Sequence, residues 1–374
     1  MARGGPKVLH LLPDGSAQGA ARTARLIAGL GKDYRHFIKA ANNTQRGWLP
    51  PASAKAVTWT TDFPELAGRP MPRRLNRLAR AMLPYDLVVT HGYGSMNTVM
   101  ARTAFAEAYS LPSLVHHEWE DEAGLSAWAR RKRDWFRRFA LGKAAGLVVP
   151  DERLEGRALV DWQQPLGRVK HIADGIDVRA FAKRPRADAL PTVVKRPGET
   201  WIGVVDESGA LQGLERTLDV LADLPEECLL IWATPTDHKR AIADAADARA
   251  LNHRVHPVPQ MPDLHRFIGL FDILLAPDPH LPDGKPVLAA MASGLPVAGQ
   301  GNAQLLELAA EENRSLLEQD TKESLRQLVA QPALARSIGE ANRRRALAEY
   351  DNDKLLATYR RLFDSAVAQR RPAR

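Results

Sequence analysis

Short uninterrupted apolar runs recur along the chain, with stretches of helical spacing between them. In the first half, KVLHLL (7–12), HFIKAA (36–41), DLVVTHG (86–92), SLVHH (113–117), GLVVP (146–150) and VKHIADG (169–175) read as strands. Helical patterns occupy 19–31, 95–109 and 123–142. The second half repeats the scheme with WIGVV (201–205), CLLIWA (228–233), RVHPV (254–258), DILLAP (272–277) and LPVAG (295–299). Strands that are apolar throughout, rather than at alternate positions, are buried on both faces, which implies parallel sheets covered by helices. The expected fold class is therefore α/β, with two doubly wound, Rossmann-like domains facing across a cleft. The pattern places the domains at 1–180 and 201–345, joined by a proline- and charge-rich linker at 181–200. An arginine-rich helical segment at 346–374 is expected to reach back to the N-terminal domain. In such domains ligands sit beyond the carboxyl ends of the strands, so the residues just after each strand carry the candidate chemistry.

Composition narrows the picture. A hydrophobic share of 45% and a charged share of 26% are those of an ordinary soluble protein. The single cysteine, Cys228, excludes a disulfide framework and a thiolate metal cluster and fits a reducing cytosol. The apolar run near the N-terminus is too short for a signal peptide, and no stretch approaches membrane-spanning length. Charge is uneven: residues 1–180 carry a net +10 and the remainder −2. A basic domain beside a near-neutral one points to an anionic partner, whether a phosphate-bearing substrate or an anionic membrane. Nucleic acid is disfavoured, because no reader motif accompanies the charge. WARRKRDWFRRFALGK (128–143) holds seven Lys or Arg against one Asp, with Trp128, Trp135 and Phe139 on one helical face. That face suits either the domain core or the surface of an anionic membrane. PRRLNRLARAM (72–82) is a second basic helix.

Several strand ends carry candidate site residues. After the first strand, Gly15 and Gly19 in PDGSAQGAARTARL allow close backbone approach, either as a plain turn or as a ligand loop. VVTHGYG places His91 beyond a strand, and LVHHEWEDE places His116 and His117 beyond the next. Two such histidines could supply a general base or a hydrogen bond to a sugar, or simply form polar strand ends. Metal binding by His117, Glu118 and Glu120 is disfavoured, because adjacent strand residues point to opposite faces. In PDPHLPDGKPVLAAMASGLPV, Asp283, Gly284, Lys285 and Pro286 lead into a helix that ends at Gly294. Unpaired helix N–H groups beside a lysine make a natural seat for phosphate. Asp278, His280 and Asp283 could alternatively form a small metal set or a solvated loop.

At these residues the sequence resembles the retaining, two-domain (GT-B) glycosyltransferases of family 4. RVKHIADGIDVRAF (168–181) is similar to the segment closing their N-terminal domain, with Asp174 in place of the usual Asn. FDILLAPDPH and VLAAMASGLPVAGQG resemble their donor-site strand and helix, and LVHHEWEDE with RRKRDWFRRFALGKAAGLVVPDERL resembles members that build bacterial surface polysaccharide. The resemblance implies transfer of a sugar from a nucleotide diphosphate donor to a glycan or lipid-linked acceptor, with no cofactor and no obligatory metal. If the chain is such a transferase, Asp283, Gly284, Lys285 and Pro286 are expected to hold the donor, Gly15, Gly19 and His91 to line the acceptor side, and His117 to be the catalytic polar group. It implies a cytoplasmic protein, peripheral on the inner face of the membrane. Departures fall on the chemistry: Val204, Gln212, Leu281 and Ala289 stand where the family has Arg, Lys, Glu and Glu. The family's Gly-Gly-x-Glu is here Gln18-Gly19-Ala20-Ala21, and its second glycine-rich turn is WATPTD. A catalytically degenerate relative, serving as partner or scaffold of another glycosyltransferase, is the alternative expectation.

Overall fold

The computed structural model describes residues 5–13, 17–40, 57–119, 124–277 and 284–369. The chain forms two compact units, the first comprising Met1–Ala173 and Asp353–Arg374, the second Asp174–Asn352.

The first unit is built on a seven-stranded sheet of β1 (Lys7–Leu12), β2 (Arg35–Ala40), β3 (Val57–Trp59), β4 (Leu87–His91), β5 (Ser113–His117), β6 (Gly146–Val149) and β7 (Val169–His171). Their order is β3-β2-β1-β4-β5-β6-β7, and every pairing is parallel. Helices α1 (Ala17–Leu30), α2 (Pro72–Met82), α3 (Met96–Ala104), α4 (Ala127–Ala140) and α5 (Glu152–Val160) cover it. The continuous apolar runs are buried as expected; β4 and β5 are buried at every position. Strand β3 carries no such run, only three partly exposed residues, and the sequence pattern misses it.

The second unit holds a five-stranded parallel sheet of β8 (Thr200–Val205), β9 (Cys228–Thr234), β10 (Val255–Pro259), β11 (Ile273–Ala276) and β12 (Val297–Gly299). Its order is β10-β9-β8-β11-β12. The helices are α6 (Leu214–Ala222), α7 (Lys239–Asp247), α8 (Lys285–Ala292), α9 (Ala303–Leu308), α10 (Glu311–Leu317), α11 (Thr321–Ala330) and α12 (Pro332–Glu349). Helix α8 ends where Gly294, at φ +78°, turns the chain toward β12, and Leu295 N–H bonds back to Ala290 at 3.0 Å. Two buried asparagines hold that edge. Asn313 exchanges hydrogen bonds with both backbone groups of Val297 (2.9 and 2.8 Å), and Asn342 donates to Leu295 O and to Asn313 (2.9 and 2.7 Å). Both asparagines thus meet the condition for burial, which is that their polar atoms find partners.

The last helix, α13 (Asn352–Ala368), follows α12 after a break at Tyr350 and Asp351. Its Phe363 and Ala366 lie in a cluster with Val8, Leu87, Val89 and Val115 of the first sheet and with Leu30 and Tyr34 beside it. Tyr34 Oη donates to Asp364 at 2.6 Å, and Arg360 donates to Gly29 O at 2.8 Å.

Helix α4 overturns the core reading of its aromatic stripe. Trp128, Trp135 and Phe139 are 73, 64 and 49% exposed, while Arg137 of the same helix is buried. These three aromatics face out, and Arg137 faces in beside Ala140 and the core-packed Phe136.

Because Phe363 is fully buried, Phe363→Ala is expected to lower the stability of the first unit by about 3–5 kcal/mol. Urea unfolding read by far-ultraviolet dichroism measures this; an unchanged midpoint would place α13 outside the core.

Candidate functional site

In each sheet the strand order reverses at one point, and a crevice opens there beyond the carboxyl ends of the strands. In the first unit the reversal lies between β1 and β4, in the second between β8 and β11.

Past β4 stands His91, and β5 runs beside it in a register that pairs His91 with His117. The two rings meet edge to face at 4.9 Å. Trp119 lies 5.0 Å from the His91 ring, and Tyr359 of α13 lies 5.6 Å from that of His117. The Arg22 guanidinium of α1 sits 5.8 Å over Trp119. Behind His91 the row continues: its Nε2 is 3.4 Å from His10 Nδ1, and His10 Nε2 is 3.1 Å from His36 Nδ1. Four neighbouring strands thus contribute one imidazole each.

Burial dominates the electrostatics of this row. Loss of water pushes His10 and His91 well below the usual imidazole value, and neighbouring histidines add to the shift. His36 falls to about 4, chiefly through burial. His117 falls to about 3, through burial and then the nearby His116 and Arg22. These rings are neutral near pH 7, and none of them is a base poised at neutrality. His91 Nδ1 and His117 Nε2 are buried with no hydrogen-bond partner among the described residues.

The other side of β5 carries a charged cluster. Thr90 Oγ1 is 2.9 Å from His116 Nδ1, and His116 Nε2 is 3.7 Å from Glu118 Oε2. Glu118 accepts hydrogen bonds from Arg137 Nε and Nη2, each at 2.8 Å. Burial alone would raise the Glu118 carboxyl, but the Arg137 charge and the contacts with His116 and Arg137 outweigh it and hold it at about 2. Arg137 also lies over the rings of Tyr93 and Trp162, 4.8 Å from each. Asp134 accepts from Arg157 (2.7 Å) and Trp162 Nε1 (2.6 Å).

Gly19 is a buried residue in the first turn of α1, where its carbonyl accepts from Thr23 Oγ1 at 2.9 Å. Gly15 lies outside the described residues.

In the second unit a pocket occupies the crevice, lined by Val204, Asp206, Glu207, Gln212, Trp232, Pro277, Pro286 and Val287 among others. Gly213, at φ +72°, closes against the Pro277 carbonyl, which a Cβ would approach to 2.8 Å. Lys285 is the first residue of α8 and half-buried; Gly284 precedes it, buried against Leu308. Asp283, Asp278, His280 and Leu281 lie outside the described residues. Val204 and Ala289 are 1 and 0% exposed; Val204 joins the apolar core of the unit and also backs the pocket. Asp206 is turned to the backbone: its carboxylate accepts from Gly209 N, Leu211 N and Ser208 Oγ, each at 2.9 Å. The Trp232 Nε1 atom is buried and unpartnered among the described residues. Among those residues no three His, Cys, Asp or Glu side chains group as metal ligands.

Sequence reasoning missed Arg22, Trp119, Tyr359 and Trp232. Trp119, next to the paired histidines, carried a local signal; Tyr359 arrives from the far end of the chain and carried none.

No family model and no curated protein sequence matches the chain. Solved structures do match in fold. The Anabaena protein HepE, in complex with UDP and glucose, superposes with a TM-score of 0.68 at 15% identity, over 96% of this chain and 100% of that one. A glycosyltransferase from Rickettsia africae gives 0.69 at 12% identity, over 98 and 99%. The lipopolysaccharide outer core galactosyltransferase WaaB gives 0.62 at 11% identity, over 96 and 99%. The chain has the two-domain fold of these glycosyltransferases. At such low identities the likeness extends to architecture alone, since one fold hosts many chemistries.

The neutral histidine row has a consequence for pH. Each ring stays unprotonated in the fold but takes a proton in the unfolded chain below about pH 6.5. Its stabilising contribution is therefore complete above that value and is lost as pH falls toward 4 for His36 and 3 for His117. The expected slope is about 1.4 kcal/mol per ring per pH unit. Unfolding midpoints at pH 7 and 5 test this. His36→Gln should flatten the dependence, and a flat wild-type profile would overturn it.

Proposed function

We propose that this protein transfers a sugar from a nucleotide diphosphate donor to a glycan or lipid-linked acceptor in the assembly of a surface polysaccharide or glycoconjugate. The observation that carries the reading is the second-unit pocket: it lies at the strand-order reversal, beside the start of α8. A whole-length fold likeness to HepE, which was solved with UDP and with UDP-glucose, supports it.

In this reading the donor diphosphate lies at the N-terminus of α8. There Gly284 and Lys285 offer backbone N–H groups beside the helix dipole and the Lys285 ammonium, Pro286 sets the first helical turn without an N–H of its own, and Asp283 stands just before them. Val204, Trp232 and Pro277 form the apolar wall of the same pocket. On the first unit, His117 and His91 offer neutral, otherwise unpartnered ring nitrogens to sugar hydroxyls, and Gly15 and Gly19 let the acceptor loop approach. Neutral rings suit that task, because hydroxyls need a donor or acceptor and not a charge. The chemistry is retaining, with neither a metal nor a cofactor required. Leaving-group stabilisation rests on Lys285 and helix amides, because Val204 and Gln212 supply no cation. Each missing charge contact costs about 3 kcal/mol of transition-state stabilisation, so turnover should be slow.

Apolar, nearly inaccessible Val204 and Ala289, where the resemblance expects Arg and Glu, favour a second reading, in which the chain is a non-catalytic partner of another transferase.

Calorimetric titration with UDP, GDP, ADP and CDP separates the two. The expected result is micromolar binding of one nucleotide, weakened about tenfold or more in Lys285→Ala. Absence of binding for every nucleotide at millimolar concentration would overturn the donor assignment and favour the partner reading.

A further inference from the structure

A second cavity, of about 440 Å³, opens in the second unit at the amino ends of its strands, opposite the pocket proposed for the donor. Its walls include Thr200 at the start of β8, Ile273 at the start of β11 and Pro296 just before β12. Four cations border it: Lys183 and Arg184 from the segment before β8, and Arg336 and Arg343 from α12. The two arginines are two helical turns apart, so they share the face of α12 that also carries Pro332 and Ala335. Close backbone contact holds that face in place. A Cβ on Gly339 would come within 2.0 Å of the Gly294 carbonyl oxygen, and the Arg343 stem lies over Gly294.

The side chains of Lys183, Arg184, Arg336 and Arg343 make no hydrogen bond or ion pair among the described residues. Their neighbours on α12 do: Arg344 pairs with Glu312 at 3.5 Å and Arg345 with Glu349 at 3.0 Å. Asp272 is the one carboxylate among the described lining residues, and it is already engaged. It accepts from Lys195 Nζ at 2.5 Å and from Trp201 N–H at 2.7 Å. Pro332 begins α12, an 18-residue helix with no side-chain cap at Gln331, so the positive end of its dipole borders the same space. Cations gathered without counter-charge repel one another. An anion among them relieves that repulsion and accepts charge-assisted hydrogen bonds.

We infer that this cavity binds a small soluble molecule carrying two or more phosphate groups. Four cations call for several negative charges, and arginine forks match phosphate oxygens. The volume is that of a small-ligand site, which favours a compact ligand over a polymer lying along a groove. Phe271, Ile273 and Leu328 line it with apolar surface, so the cations carry the recognition. The site is separate from the one proposed for the donor. Asp272 borders this cavity and Pro277 the other, at opposite ends of β11 and roughly 16 Å apart. Helix α8 spans the same interval, with Pro286 at the donor end and Gly294 at this one. The inference stands without the donor reading, since it uses none of that pocket's residues.

Calorimetric titration of the full chain with inorganic diphosphate tests it. In Lys285→Ala, where the donor end of α8 has lost its ammonium, diphosphate should still bind with micromolar affinity. Adding Arg336→Gln/Arg343→Gln should weaken that binding about a hundredfold, at roughly tenfold per guanidinium. Lys183→Gln/Arg184→Gln, on a different segment, should weaken it as well. Sulfate, with less charge and a single centre, should bind about tenfold more weakly than diphosphate. Unfolding midpoints of the variants should match wild type, since Lys183, Arg184 and Arg336 are exposed and Arg343 is half-buried. No binding at millimolar diphosphate would overturn the inference. So would sulfate binding as tightly as diphosphate, the mark of an unselective basic surface, or an affinity that the arginine substitutions leave unchanged. UDP held through these arginines and not through Lys285 would support this site and count against the donor assignment.

Discussion

A guanidinium withdrawn from water must have a carboxylate at contact distance, and in the first unit that requirement falls on Arg137 and Glu118. Both are essentially inaccessible, and removing one partner of such a buried pair costs about 3–5 kcal/mol because the other charge is stranded. The pair therefore admits one arrangement of its neighbours. Glu118 follows β5 directly, so the pair fixes the end of that strand and with it the paired His91 and His117. Arg137 belongs to α4, so the same contact sets that helix's rotation. Tyr93 and Trp162 flank the guanidinium and keep water away. One ion pair thus joins the interior of the unit to its most unusual surface.

The second unit solves its polar problems differently. Its buried asparagines are satisfied by backbone groups and by each other, and Asp206, beside the pocket, is taken up by the amides of its own turn. A carboxylate holding N–H groups projects less charge into the pocket than its bare presence suggests. The pocket lining also carries Glu207, beside the start of α8.

Much of the architecture was legible because strands buried on both faces leave an unbroken apolar run, as β4, β5 and β11 do. Strand β3 escaped because three half-exposed residues leave no such trace. The strand-end rule led to His91 and His117, since it depends only on topology. It could not show that four histidines line up across strands β2, β1, β4 and β5. That contact depends on register between segments far apart in sequence. Nor could helical periodicity say which face of α4 points inward, because an amphipathic pattern is symmetric between core and interface until a buried partner such as Glu118 is known.

The second unit is inserted within the first, and its two ends meet. Ile176 N–H bonds to Tyr350 O at 2.8 Å, and Asn352 N–H bonds to Ile176 O at 3.0 Å. During synthesis the cluster around Val8 and Leu87 must wait for Phe363 until the whole insertion has been made. Closing a loop of that length in an unfolded chain carries a substantial entropy cost. Once the insertion has folded, however, the ladder at Ile176 delivers the chain beyond residue 352 back to where it departed at 174. The search for Phe363's seat then becomes short-range, so the order of assembly runs from the inserted unit to completion of the one that surrounds it.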